Sequence, residues 1–132
     1  MPGKAIYFDT FMCTACNGCP VACKTWNSLS SFTGLNENKF SGSYQNPMDL
    51  RGNVRLLISF NEEAGGPKGV KWAFGRRSCQ HCTDAGCVAM CPANALYYDE
   101  SGMVTYDTEK CTGCQECSVG CPFNVPRYDD LT

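Results

Sequence analysis

Apolar positions come in short runs along this chain, and the period of each run predicts an element. "VRLLISFNEE" (54–63) and "VKWAFGRRSC" (70–79) are rich in β-branched and aromatic residues and flank "AGGPKG", a Gly-Pro turn cluster, so they predict the two strands of a hairpin. "ALYYDESGMVTYDTEKC" (95–111) alternates apolar and polar residues on either side of "DESG" and predicts a second hairpin. "KAIYFDT", Lys4 to Thr10, predicts a strand, and Pro20 is placed to open a short helix through Ala22 to Trp26. Residues 27–53 show neither period and are dominated by Ser, Asn and Gly. Such a long irregular excursion in a compact domain is usually functional. The longest apolar run, Val54 to Phe60, is interrupted by Arg55 and falls far short of the roughly 18 residues a membrane helix needs. No transmembrane segment is expected.

At 132 residues the chain is the size of one domain, too small to bury a large core from apolar side chains alone. Twelve cysteines change that picture, because such a density signals either a disulfide scaffold or metal sites. The N-terminus, "MPGKAIYFDTFMC", lacks a basic head, apolar core and cleavage site, so no secretory signal is expected on it and the disulfide reading loses its compartment. Eleven basic and 13 acidic residues give a net charge of -2 and no basic footprint for phosphate, so nucleic acid is not an expected partner.

The cysteines form three quartets: Cys13, Cys16, Cys19 and Cys23; Cys79, Cys82, Cys87 and Cys91, followed by Pro92; and Cys111, Cys114, Cys117 and Cys121, followed by Pro122. The first and third follow C-x2-C-x2-C-x3-C, and the second carries two inserted residues between its middle cysteines. This is the run of bacterial 4Fe-4S ferredoxins, in which three closely spaced thiolates wrap three corners of a cubane and the fourth cysteine serves the neighbouring cluster. On that geometry the fourth cysteine begins a helix and points away. Quartets two and three then exchange ligands, giving one cluster on Cys79, Cys82, Cys87 and Cys121 and another on Cys111, Cys114, Cys117 and Cys91. Structural zinc would use two C-x2-C pairs and leave other cysteines idle. A Rieske centre needs two histidines, and His81 is the only one.

His81 lies between Cys79 and Cys82, where it is expected to pack or hydrogen-bond beside a cluster rather than to carry protons. Trp26 and Trp72 are expected to supply buried area rather than to relay electrons. Lys24, Arg76, Arg77, Lys110 and Arg127 lie close in sequence to cysteines, where they serve either solubility or the offsetting of cluster charge. No serine-histidine pairing, phosphate-cradling glycine loop or isolated carboxylate pair suggests chemistry on a substrate, so the chain is expected to be non-catalytic.

"CTACNGCPVACKTWN", "SYQNPMDL", "CQHC", "CPANAL" and "CTGCQECSVGCPFNVPR" together resemble the iron-sulfur subunit of molybdenum or tungsten bis-pterin oxidoreductases, and "GSYQNPMDLRGNVRL" most resembles the β subunit of formate dehydrogenase. Dimethyl sulfoxide, polysulfide and nitrate reductases have relatives, and tungsten aldehyde oxidoreductases have similar small subunits. The resemblance implies an α+β fold of ferredoxin-like 4Fe-4S units with short helices, β-hairpins and long loops. It implies a division into a first cluster-binding motif (1–26), an insertion with a partner-facing loop and two strands (27–78), and a two-cluster unit (79–132). Electrons would pass between a metal-pterin catalytic subunit and an external carrier, with a further redox carrier or membrane subunit as a second partner. The alternative is a free polyferredoxin-type carrier.

Fuller members of that family continue past the segment matching "CPFNVPRYDD" into a fourth cysteine group that exchanges ligands with the first, whereas this sequence stops at Thr132. Three clusters are therefore expected, the one at Cys13, Cys16 and Cys19 lacking an assigned fourth ligand. Cys23 turning back onto its own cluster, a non-cysteine ligand, a 3Fe-4S cluster and a missing C-terminal segment are the competing accounts. The compartment stays open, because family members are exported folded alongside a signal-bearing partner as well as kept inside.

Overall fold

The computed structural model describes residues 6–30, 44–67 and 69–128. Lys4 and Ala5 of the expected first strand, and residues 31–43 of the long polar excursion, lie outside the described residues. The described chain divides into two compact units, one within Tyr7–Ser78 and one within Cys79–Asp130 together with Ile6.

In the Tyr7–Ser78 unit, residues 7–9 do not form a strand, and the reason is local. The Asp9 carboxylate accepts the amides of Phe11 (2.9 Å) and Met12 (3.3 Å), and its carbonyl accepts the Cys13 amide (3.1 Å), so the chain turns where the composition predicts extension. Helix α1, Gly18–Trp26, begins before the expected Pro20 start, on Asn17 in the left-handed region (φ 57°). Strands β1, Leu57–Gly66, and β2, Gly69–Arg77, form the expected antiparallel hairpin, with Leu57 opposite Arg77 and Phe60 opposite Phe74. β1 starts later than the apolar run because Arg51 and Val54 pair across their own tight turn.

Leu50, Val54, Leu56, Leu57 and Ile58 are the buried apolar residues of this unit. One face of the hairpin gathers Phe60, Trp72 and Phe74 with Tyr44, at ring separations of 5.2 to 6.0 Å. Trp72 packs in this cluster but stays 41% exposed, so the buried area expected of it is supplied only in part. Trp26 is 86% exposed, which overturns the expectation that it supplies buried area.

In the Cys79–Asp130 unit, the short helices α2, Gly86–Ala89, and α3, Glu116–Gly120, pack on each other, and β3, Leu96–Tyr98, pairs antiparallel with β4, Val104–Tyr106. The Asp99 carboxylate shapes the β3–β4 turn by accepting from the Ser101 amide (2.8 Å), the Ser101 hydroxyl (2.6 Å) and the Met103 amide (2.9 Å), while Gly102 takes the left-handed conformation (φ 82°) that a side chain resists. Ala85, Ala95 and Val104 are buried. Among the described residues, five buried apolar residues in one unit and three in the other make thin cores, so each interior has need of something other than hydrocarbon.

Candidate iron-sulfur sites

Residues 79–98 and 111–128 repeat one local design, readable as C-x3-C-P-x-N-x3-Y from Cys87 to Tyr98 and again from Cys117 to Tyr128. Each half opens on a cysteine loop with a residue forced into the left-handed region, His81 (φ 48°) in one and Gln115 (φ 66°) in the other. Each continues through a short helix that carries its third cysteine, then closes on Cys-Pro-x-Asn, where Asn94 (φ 49°) and Asn124 (φ 51°) return their amides to the carbonyls of Cys91 (3.2 Å) and Cys121 (3.1 Å). Asparagine tolerates that conformation better than most residues. The expectation that the fourth cysteine begins a helix is corrected here: Cys87 and Cys117 lie within α2 and α3, and Cys91 and Cys121 follow them.

The halves meet through glycines. A β-carbon on Gly86 would stand 2.6 Å from the Gly120 carbonyl oxygen, and one on Gly120 would stand 2.8 Å from the Met90 sulfur and 3.0 Å from the Gly86 carbonyl. Backbone approach this close brings the end of α3 to the loop of the second quartet. Burial pushes the Cys79 thiol above its ordinary range; the His81 amide, 3.4 Å from the sulfur, pulls it back, and the charges of Cys82 and Cys121 push it further up. Burial pushes Cys87 up as well, followed by the charges of Cys121 and Cys79, against the amides of Val88 and Cys87. The thiol of Cys121 thus acts on the thiols of the other half's loop. The two residues inserted between Cys82 and Cys87 are held by Tyr98, whose hydroxyl accepts the Ala85 amide (2.7 Å) and donates to the Thr83 carbonyl (3.2 Å).

Around the third quartet the decisive contact is Tyr128, whose hydroxyl lies 2.7 Å from the Cys117 sulfur. Burial, this hydrogen bond, and the charges of Cys117, Cys111 and Cys114 push the phenol far above its usual range, so it stays protonated and available as a donor. The Cys91 thiol is held below its ordinary range by the amides of Leu96, Ala95, Ala93 and Asn94, the Ala95 nitrogen standing 3.3 Å from the sulfur.

In the first quartet, the Ala15 amide reaches the Cys13 sulfur (3.4 Å) from a left-handed residue (φ 54°), and Asn17 turns the chain into α1. The Cys19 thiol is pushed up chiefly by burial; its own amide and Arg76 oppose that, and the charges of Cys13 and Cys16 add to it. Cys23 lies one helical turn beyond Cys19 in α1 and is engaged by Asn27, whose side-chain amide donates to the Cys23 carbonyl (2.8 Å) and sulfur (3.6 Å).

Of the basic residues, Arg76 acts on a cysteine. Arg77 pairs with Asp49 (3.0 Å), Lys110 pairs with Asp107 (3.3 Å), Lys24 donates to the carbonyls of Ser30 (2.7 Å) and Asn53 (3.2 Å), and Arg127 donates to Asn124 (2.9 Å). His81 contributes its backbone amide to Cys79, while its ring nitrogen Nδ1 is buried without a hydrogen-bond partner. Tyr128, Tyr98, Asn27 and the Gly86–Gly120 pair are missed by the sequence reading. The doubled C-x3-C-P-x-N-x3-Y pattern is the sequence signal for the tyrosines.

None of the twelve cysteines is joined in a disulfide. The residues fit iron-sulfur clusters on two grounds: burial, and after it the neighbouring thiols, push Cys79 and Cys87 up, which a cationic iron core would offset, and amide and phenol donors already point at sulfur.

Comparison with known proteins agrees with this geometry. Residues 70–132 match the family of 4Fe-4S dicluster domains. The formate dehydrogenase iron-sulfur subunit of Haemophilus influenzae is 37% identical over 122 residues, covering 92% of this chain and 38% of the relative. Formate dehydrogenase 2 subunit beta (cytochrome c-553) of Nitratidesulfovibrio vulgaris is 36% identical over 137 aligned positions, covering 98% of this chain and 61% of the relative. The hydrogenase-2 operon protein HybA of Escherichia coli O157:H7 is 33% identical over 136 positions, covering 98% of this chain and 40% of the relative. The chain thus spans between 38% and 61% of the length of these relatives. Residues 70–132 are thus similar to 4Fe-4S dicluster domains, and the chain is similar along most of its length to the iron-sulfur subunits of formate dehydrogenases.

Proposed function

We propose that the chain is an electron-transfer subunit carrying three 4Fe-4S clusters, and that it connects a molybdenum or tungsten pterin catalytic subunit, formate dehydrogenase first among them, to an external electron carrier. The observation that carries this reading is the action of Cys121 on Cys79 and Cys87 across the helix pair, the juxtaposition that ligand exchange between two clusters requires. The similarity to formate dehydrogenase iron-sulfur subunits supports the choice of partner, and the HybA relative supports keeping other oxidoreductases in view.

On this reading Cys79, Cys82, Cys87 and Cys121 hold one cluster, Cys111, Cys114, Cys117 and Cys91 a second, and Cys13, Cys16 and Cys19 three corners of a third. Cys23, one helical turn beyond Cys19 and with the Asn27 side-chain amide donating to its sulfur (3.6 Å), is a candidate for the fourth corner. Bound clusters supply one-electron chemistry. The chain's own residues direct N–H and O–H donors at the cysteine sulfurs. Residues 27–78 would form the surface that meets the catalytic subunit.

Anaerobic purification should yield close to twelve irons and twelve sulfides per chain, about four for each cubane. Stoichiometric zinc in place of iron rejects the reading. In native extracts the chain should copurify with a pterin-containing polypeptide, whereas a lone monomer favours the free carrier.

A further inference from the structure

We propose that Tyr128 donates a hydrogen bond to the sulfur of Cys117 and sets the cluster held by Cys111, Cys114 and Cys117 at a higher reduction potential than its neighbour in the same unit. This role rests on the reading of Cys117 as a cluster ligand. The phenol oxygen is 2.7 Å from that sulfur, closer than the amide contacts to Cys79 (3.4 Å) and Cys91 (3.3 Å).

Its position is built. Pro122 and Pro126 restrict the backbone on the way to Tyr128, Asn124 turns the chain in the left-handed region, and Arg127 braces that turn by donating to the Asn124 side chain (2.9 Å) and the Pro126 carbonyl (2.9 Å).

The internal repeat shows why the two clusters differ. Tyr128 follows Cys117 by eleven residues, and Tyr98 follows Cys87 by the same interval. The Tyr98 hydroxyl is spent on the Ala85 amide and the Thr83 carbonyl, within the loop lengthened by the two inserted residues. One half therefore directs its phenol at sulfur, and the other directs it at backbone.

A ligating thiolate has no proton to give, so the phenol is the donor. One-electron reduction adds negative charge to the cluster and its sulfurs; the O–H bond stays intact, no proton moves, and the hydrogen bond is stronger in the reduced state. Reduction is favoured on the Tyr128 side.

The test is Tyr128→Phe in the full 132-residue holoprotein, with iron content and an EPR-monitored redox titration. Iron should be retained, and one cluster should show a roughly tenfold lower reduced-to-oxidised ratio at fixed potential, about 59 mV for one electron, with the other signals unmoved. Full iron with every potential unchanged overturns the proposal while leaving the electron-transfer reading intact. Should the phenylalanine variant lose iron, 3-fluorotyrosine at position 128 decides, since it keeps the volume and strengthens the donor: a raised potential supports the role and an unchanged one overturns it. A wild-type chain that assembles no iron-sulfur cluster overturns both readings together.

Discussion

Gly86 and Gly120 stand so close that neither position has room for a methyl group, and through that contact the two cysteine-bearing helices α2 and α3 touch backbone to backbone. The two sites are not equally strict. At Gly86 a β-carbon meets a backbone oxygen at 2.6 Å, which cannot yield without moving α3, whereas at Gly120 the shortest contact is the flexible end of Met90. Gly86→Ala should therefore destabilise by roughly 1–3 kcal/mol, the usual cost of overpacking, and Gly120→Ala by less. Denaturation followed by visible absorbance reads both, and equal melting of Gly86→Ala and wild type would contradict the geometry.

Tyr98→Phe removes the acceptor of the Ala85 amide and the donor to Thr83. Ala85 is buried, so stranding its amide should cost about 1–3 kcal/mol and loosen the Cys82–Cys87 loop. Faster cluster bleaching under denaturant is expected. A variant that retains its absorbance as long as wild type would show that the inserted residues need no such support.

Crossed ligation makes a sharper claim. Cys91→Ser should perturb the cluster of Cys111, Cys114 and Cys117, and Cys121→Ser that of Cys79, Cys82 and Cys87. EPR spectra in which each variant damages only the cluster of its own quartet would refute the exchange.

The Asp99 carboxylate is held below its usual range, first by the Ser101 hydroxyl and then by the Met103 amide. A depressed folded pKa contributes stability that is present above the unfolded value of about 3.9 and is lost as pH falls through the folded value. The stability gap between wild type and Asp99→Asn should accordingly be full at pH 7 and close on acidification below about pH 4. Denaturant midpoints at several pH values measure it, and a gap independent of pH would exclude the carboxylate as the cause.

Arg76 is the cation that favours the charged form of Cys19. Arg76→Gln should lower the potential of the first-quartet cluster modestly, on the scale of roughly 0.2–1 kcal/mol found for exposed charge pairs. A shift in the dicluster signals instead would point to a different route of action.

The cysteine quartets are legible in the sequence and the contacts that surround them are not, for identifiable reasons. Cysteine spacing is a covalent property of the chain, so the three quartets needed no tertiary knowledge. Both hairpins followed from alternation and turn residues, although the Arg51–Val54 turn delayed β1 and "DESG" closed around Asp99 with shorter strands than the pattern suggested. The strand expected at Lys4 to Thr10 failed over its described part because one carboxylate, Asp9, captured the amides of Phe11 and Met12, and β-propensity carries no information about such capture. Tyr128 could not be placed from spacing to the cysteines alone, since its reach to Cys117 depends on the path around Asn124. Comparing the two halves of the repeat would have exposed it.

The placement of Cys121 against the second quartet also bears on the order of events in the cell. With Cys121 as the closing ligand, the loop that begins at Cys79 stays incomplete while the ribosome makes everything between them, including Cys91, whose own cluster site waits on Cys111, Cys114 and Cys117. Neither cubane of the unit can be finished before the other's loop has emerged. Under crossed ligation, loading waits until residue 121 has been made, and a nascent protein stalled short of it would carry open, oxidisable thiols.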